Sequence, residues 1–283
     1  MVTSLDDWIE SDFPVTEKGI GSVLRHYAVA DSTNRLARMW ASISADPSRL
    51  SPVDSIKSSV APNGAVVLAD HQTSGRGRLG RTWESSSGQN LLMTAIIRAK
   101  GTLLSDHVAR GMLPLATSLA VAATISHFVP GNEVAIKWPN DVLLGGRKCS
   151  GILVEANVDD VFLIGIGLNV NESRFSEEVG MLATSLLLHT GHRFDRKNVF
   201  QILMEQLNKW IPMVFVENAA AVRTAYVQQM AGLGAPVSLN TGTEPVEGVL
   251  VGINTDGGLI VEKNTVQKVY YSGDVSFSNH PLD

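Results

Sequence analysis

The segment GRGRLGR, residues 75–81, sets Arg76, Arg78 and Arg81 within six residues and interleaves them with Gly75, Gly77 and Gly80. Guanidinium forks match the oxygens of carboxylates and phosphates, and glycines let a backbone close tightly on a ligand, so the loop suits a small anion. A solvated basic turn or an RNA-holding arginine-glycine tract has the same composition. The run also satisfies G-x-G-x-x-G after a strand, but RTWESSSGQ follows, with Ser and Gly where a dinucleotide fold needs a helix. Trp83, beside the loop, is either a packing residue or a platform for a ligand.

Downstream, KWPND (137–141) brings a lysine, a ring, an amide and a carboxylate onto one strand and its turn. Gly145 and Gly146 can close a two-residue hairpin that sets Leu144 opposite Arg147 and Leu143 opposite Lys148. Asp141 then shares the face of Lys148 diagonally, at the ~7–8 Å of such neighbours, leaving a gap for a phosphate or a metal ion. An ordinary surface ion pair is the alternative. Gly151, Gly165 and Gly167 interrupt strand patterns, where glycine weakens a strand unless a backbone or ligand must come close, and together they suggest a ligand floor. Asn169 and Asn171 can offer amides to it.

These residues need elements to hold them. DSTN (31–34) precedes RLARMWASIS, in which Leu36, Met39, Trp40 and Ile43 recur at helical spacing, with Ser32 or Thr33 to cap the helix. A polar loop is expected from about 44 to 63, and the β-branched run AVVLAD (65–70) is a buried strand. NLLMTAIIR (90–98) reads as a strand and 106–128 as a helix that Pro114 can kink. Strand-like runs at 134–138, 142–144, 148–155 and 161–170, with an Asn-Val-Asp-Asp turn before the last, form a mainly antiparallel meander. Residues 197–231 return to a helical pattern with Pro212 as the expected break. From 234 onward short alternating strands separated by TGTEP, TDGG and EKNT predict a small β-domain.

Composition bounds the function. A chain of 283 residues, 44% hydrophobic, has material for one large core and a small appended domain. Its net charge of −5 supplies no overall basic footprint for nucleic acid, so no DNA partner is expected. Cys149 is alone and the acidic start MVTSLDDWIE lacks the pattern of a secretory signal, which leads us to expect a cytoplasmic protein. The most apolar stretch, around 115–125, is shorter than the ~20 residues of a bilayer crossing, so no membrane partner is expected.

Taken together, DSTN, HQTSGRGRLGRTW (71–83), KWPNDV (137–142), RKCSGILVE (147–155) and GIGLNVN (165–171) resemble, in order and approximate spacing, the catalytic segments of biotin protein ligases. The resemblance implies an α+β fold of the class II synthetase-like biotin/lipoate ligase kind. That fold has a mixed, largely antiparallel central sheet flanked by helices, and a small C-terminal SH3-like β-barrel domain. The corresponding divisions are an N-terminal extension at 1–24, a catalytic biotin- and ATP-binding domain at 25–232 and the C-terminal domain at 233–283.

Carried over residue by residue, the resemblance assigns Ser32, Thr33, Asn34, Gln72, Gly75 and Arg76 to the biotin site, with Gly151 as its floor. Arg78 and Lys148 are implied to hold the biotin carboxylate and the α-phosphate of ATP, and Lys137 and Asp141 to form a second group, Asp141 through Mg2+. Arg81, Trp83 and Asn169 fall where the family binds nucleotide. The implied reaction makes biotinoyl-adenylate from biotin and ATP, then transfers biotin to a lysine of the biotin carboxyl carrier domain of an acyl-CoA or pyruvate carboxylase. Residues 84–89 and 172–180 are the segments expected to order over the ligands. The chain has no room for the DNA-binding domain of repressor members, so a ligase alone is expected, as a monomer or homodimer. A lipoate ligase or octanoyl transferase is the nearest rival, but the arginine pair, consecutive glycines and histidine of those families are missing from this loop.

Overall fold

A computed structural model describes residues 3–42, 60–99, 107–131, 133–156, 161–215, 219–242 and 244–277. In chain order the first part carries β1 (Leu24–Tyr27), α1 (Thr33–Ala41), β2 (Val66–Ala69), β3 (Leu91–Arg98), α2 (His107–Phe128), β4 (Val134–Lys137), β5 (Asp141–Leu144), β6 (Arg147–Ala156) and β7 (Val161–Leu168). The short helices α3 (Glu177–Gly180) and α4 (Leu186–Thr190) follow, then α5 (Arg196–Phe215) and α6 (Ala219–Gln228). The chain ends in β8 (Pro236–Asn240), β9 (Val246–Ile253), β10 (Leu259–Lys263), β11 (Val266–Tyr270) and β12 (Asp274–Phe277).

The large sheet runs β1-β2-β3-β7-β6-β5-β4. Every pair in it is antiparallel except β1 with β2, so the sheet is mixed, as expected, and its second half is the meander read from the sequence. Both faces are covered, which explains the continuous apolar run of β2. Val66 and Leu68 join the core beneath α2 and α5, while Val67 and Ala69 meet Leu36 and Trp40 of α1. The same alternation sends Ile164, Ile166 and Leu168 of β7 into the α2 core and leaves Gly165 and Gly167 on the α1 face.

The second sheet, β11-β10-β9-β8-β12, is antiparallel throughout. Its buried Val237, Leu239, Leu250, Ile253, Leu259 and Val275 belong to the same apolar cluster as α2 and α5. Trp138 donates its indole N–H to the Gly257 carbonyl at 3.1 Å, and Gly111 of α2 has Asp256 where a side chain would stand.

Several readings are corrected. α5 passes through Pro212 and continues to Phe215, because a proline in the last turn removes a single backbone hydrogen bond there. Ser32 is the N-cap of α1, but no side-chain cap bond forms; the Gln72 side chain accepts from Thr33 N instead, at 2.8 Å. Met39 is exposed, while Ile43, most of the 44–63 loop and the 157–160 turn lie outside the described residues. Arg110–Phe128 of α2 is long and apolar enough by length and composition to cross a bilayer, and 67% of its most apolar stretch is buried inside the fold. The segment before β1 is packed rather than merely appended: Phe13 and Ile20 are buried, and Asn208 bonds Ile20 through both N–H and carbonyl.

Candidate active site

The arginine loop leaves β2 beside the start of α1. Ala30 and Thr73 exchange backbone hydrogen bonds with the loop and the β1–α1 link, at 2.9 Å each. Its neck closes where Trp83 N meets the Gly75 carbonyl at 3.0 Å, and its tip turns through Leu79 and Gly80, both with positive φ. The loop therefore arches over the glycine-bearing face of β6 and β7. Between them lies a cavity of about 340 Å³, lined by parts of α1, the loop, β6, β7 and the segment 175–183. A volume in this range suits a small organic ligand.

Trp83 lies on the glycine floor. A Cβ on Gly167 would stand 2.5 Å from its ring and one on Gly151 2.7 Å from it, so these glycines make room for an indole. Gly165 makes room for Asn34 in the same way, with its virtual Cβ at 2.3 Å from Asn34 Oδ1. Because Gly165 and Gly167 are two residues apart, about 7 Å along the strand, Asn34 and Trp83 sit side by side on the sheet. Lys148 Nζ lies beyond, 5.6 Å from the Trp83 ring centroid and 3.3 Å from the virtual Cβ of Gly151. One end of the floor is thus uncharged and polar, the middle is aromatic, and the other end is cationic.

At the polar end, Ser32, Thr33 and Asn34 are all buried, and Thr94 joins them from β3. Thr94 Oγ1 donates to Asn34 Oδ1 at 2.6 Å and lies 2.9 Å from Thr33 Oγ1, while Thr33 Oγ1 donates to Gln72 Oε1 at 3.1 Å. At the cationic end, Arg78 donates to Asn140 Oδ1 at 3.0 Å, and Lys148 pairs with Asp141 at 2.8 Å. Burial pulls the Arg78 guanidinium below its ordinary value, against the opposing influence of Asp274 and Asp141. Arg81 Nη2 donates to both carboxylate oxygens of Asp274 of β12, at 2.9 and 3.0 Å, which joins the second sheet to the arginine loop.

The cavity wall brings together Ser32, Thr33, Asn34, Gln72, Arg76, Arg78, Arg81, Trp83, Lys148, Gly151 and Asn169. Three other residues that the family resemblance assigned to the site are not on it. Gly75 is occupied by the Trp83 backbone, whose carbonyl lies 2.6 Å from where a Cβ would be. Lys137 points to the Phe277 ring of the second sheet, 5.4 Å from its centroid. Asp141 lies behind Lys148 and pairs with it, so the gap read as space for a phosphate or metal is a direct ion pair. The hairpin register was as expected at Leu144–Arg147 and Leu143–Lys148, but a bulge then sets Asp141 opposite Gly151.

Asn169 donates Nδ2 to the Thr184 carbonyl at 3.0 Å, and its buried Oδ1 has no hydrogen-bond partner among the described residues, which suits a ligand N–H. Asn171 serves structure instead, exchanging bonds with the Phe194 backbone. Glu172, missed in the sequence, is buried and accepts from Ser86 N, Ser86 Oγ and Asn90 Nδ2 at 2.8, 2.6 and 2.7 Å, tying the 84–89 segment to the end of β7. Thr94 and Asp274 were also missed; neither carries a local motif, and each reaches the site through strand pairing or domain packing.

Residues 46–171 match the biotin/lipoate A/B protein ligase family, and residues 232–278 match the biotin protein ligase C terminal domain. The biotin--[acetyl-CoA-carboxylase] ligase of Paracoccus denitrificans is 33% identical over 221 residues, 75% of this chain and 90% of that protein. The bifunctional ligase/repressor BirA of Bacillus subtilis is 32% identical over 223 residues, and the match spans 76% of this chain but 66% of BirA. Among solved structures, biotin protein ligase from Aquifex aeolicus in complex with biotin and ATP aligns with a TM-score of 0.72 at 28% identity, over 90% of this chain and 97% of that one. With 33% identity across an alignment that spans nine tenths of one such enzyme, and both family regions in place, this chain belongs to the biotin protein ligase family.

Proposed function

We propose that this chain activates biotin with ATP to biotinoyl-adenylate and pyrophosphate, then passes the biotinoyl group to a lysine of a biotin carboxyl carrier domain. The observation that carries this reading is the order of groups along the floor: the Thr33, Asn34 and Gln72 cluster, then Trp83, then Lys148 and Arg78. Biotin has the matching order, with a ureido ring that both donates and accepts, an apolar body and chain, and a carboxylate. The related Aquifex enzyme, solved with biotin and ATP, supports the same assignment of ligands.

For a carboxylate to attack phosphorus, two anions must be brought together. Arg78 and Lys148 offset that repulsion, most strongly where charge builds up in the transition state. Asn169 Oδ1 offers an acceptor to an exocyclic amine such as that of adenine. Mg2+ is part of the proposal as the companion of the ATP phosphates. The described residues hold no group of three or more ligands for a metal, and Asp141 is committed to Lys148, so the ion's fit rests on phosphate oxygens with at most this one carboxylate. The carrier partner is proposed to belong to an acyl-CoA or pyruvate carboxylase.

ATP–pyrophosphate exchange by the purified chain with Mg2+, run with biotin, with lipoate, with octanoate and with no acid, tests the reading. Exchange only with biotin is expected. Exchange with lipoate or octanoate in its place would move the chain to the neighbouring branch of the family, and no exchange from folded protein would overturn the reading.

A further inference from the structure

We propose that Glu155 is a positioning residue for biotin, acting on the ureido end of the cavity through a directed chain of hydrogen bonds without touching the ligand. The proposal rests on the functional reading above and assigns a role to a residue outside the cavity wall.

The alternation of β6 puts Gly151, Leu153 and Glu155 on the α1 face, and the first two line the cavity. Glu155 lies past its end, on the outer groove beside the arginine loop. Its Oε1 pairs with Arg38 at 3.0 Å, and its Oε2 accepts from Asn34 Nδ2 at 2.7 Å. A carboxylate only accepts, so it decides which way round the Asn34 amide sits: Nδ2 toward Glu155, Oδ1 toward Thr94. Thr94 has one hydroxyl hydrogen, and its 2.6 Å contact to Asn34 Oδ1 takes it. Thr94 Oγ1 can then only accept at its 2.9 Å contact with Thr33 Oγ1, whose one hydrogen is shared between Thr94 Oγ1 and Gln72 Oε1 at 3.1 Å. Gln72 Oε1 is already committed to Thr33 N at 2.8 Å, so what the Gln72 amide can offer a ligand is the pair of hydrogens on Nε2. An anion at one end thus sets the direction of the Asn34, Thr94 and Thr33 side-chain hydrogen bonds, up to the Thr33 hydroxyl from which Gln72 Oε1 also accepts.

Gly165 leaves the room in which the Asn34 amide sits. A side chain there would overlap Asn34 Oδ1, and Thr94 and Asn34 are buried, so water has little access to substitute for a missing partner.

The test is biotin binding by calorimetry on the full chain, with steady-state kinetics alongside, for wild type, Glu155→Ala, Gln72→Ala and the double variant. Glu155→Gln serves as the shape-conserving variant if the alanine form unfolds. Glu155→Ala is expected to weaken biotin binding about tenfold, with kcat at saturating biotin and the ATP KM within about twofold of wild type. Glu155 and Gln72 do not touch, so an effect of general loosening would multiply between them. A relay predicts that the double variant loses much less than the product of the two single losses. Multiplicative losses, or equal damage to the ATP KM and kcat, would overturn the relay while leaving the ligase assignment intact. A wild-type chain that binds no biotin would overturn both.

Discussion

Lys148 Nζ stands 2.8 Å from Asp141 Oδ1, across the bulge that shifts Asp141 from the position opposite Ser150 to the one opposite Gly151. The ion pair holds the lysine at the cationic end of the cavity beside Trp83, ready for an incoming anion. Both side chains keep solvent contact, 35% and 24% exposed, so their pairing adds little to stability.

Lys148→Ala is therefore expected to reduce biotin-dependent ATP–pyrophosphate exchange by about 10²–10³-fold. Thermal unfolding should move by no more than about 1 kcal/mol in stability. Full exchange activity in this variant contradicts the assignment of the cationic end.

Gly167→Ala places a methyl group 2.5 Å from the Trp83 ring, so the indole must move. Displacing the indole is expected to cost about 1–3 kcal/mol and to shift Trp83 emission toward that of a solvated indole. Urea unfolding and fluorescence read the two effects; an unchanged spectrum argues that Trp83 does not rest on this glycine in solution.

Cys149 is fully buried, and burial pushes its thiol up to about 12. The thiolate is the reactive form, so the native chain is expected to resist alkylation and to react only after unfolding. Rapid labelling of folded protein at neutral pH would require an opening of β6 that this packing does not provide.

Asp70, at the end of β2, is held below 3.8: burial acts to raise it, but hydrogen bonds from His26 and Arg196 outweigh that. A depressed carboxyl contributes stability that is complete above its unfolded value and is lost as pH falls through the folded one. Asp70→Asn is expected to destabilise the chain by about 1–3 kcal/mol at neutral pH, leaving Arg196 without its carboxylate partner. The difference from wild type should narrow below pH 3.8. Denaturant titrations on either side of that pH check it, and a gap of constant size would remove Asp70 from the acid response.

Much of the architecture was legible because local patterns carried it. The β-branched run of β2, the double glycine at 145–146 with both φ positive, and the apolar stripe of α5 each follow from short-range preference. The arginine loop announced an anion site by residue type alone. β1 escaped notice because LRHY has too little alternation to stand out, and α3 and α4 because four or five residues carry no period.

The site divides along the same line. Arg78 and Lys148 were named from their chemistry, and Ser32, Thr33, Asn34 and Gln72 from the family resemblance, and they do converge on one cavity. What the glycines of β6 and β7 were for was decided by packing: two admit Trp83 and one admits Asn34, which no reading of β6 and β7 by themselves predicts. The same holds for Asp274 on Arg81 and for Glu155 behind Asn34, partners separated by 193 and 121 residues. Residue type and spacing determine what a side chain can do, because charge, hydrogen-bond capacity and backbone preference are local properties. Which groups meet is settled by strand register and by the faces that alternation turns toward one another, and those exist only once the sheet has closed.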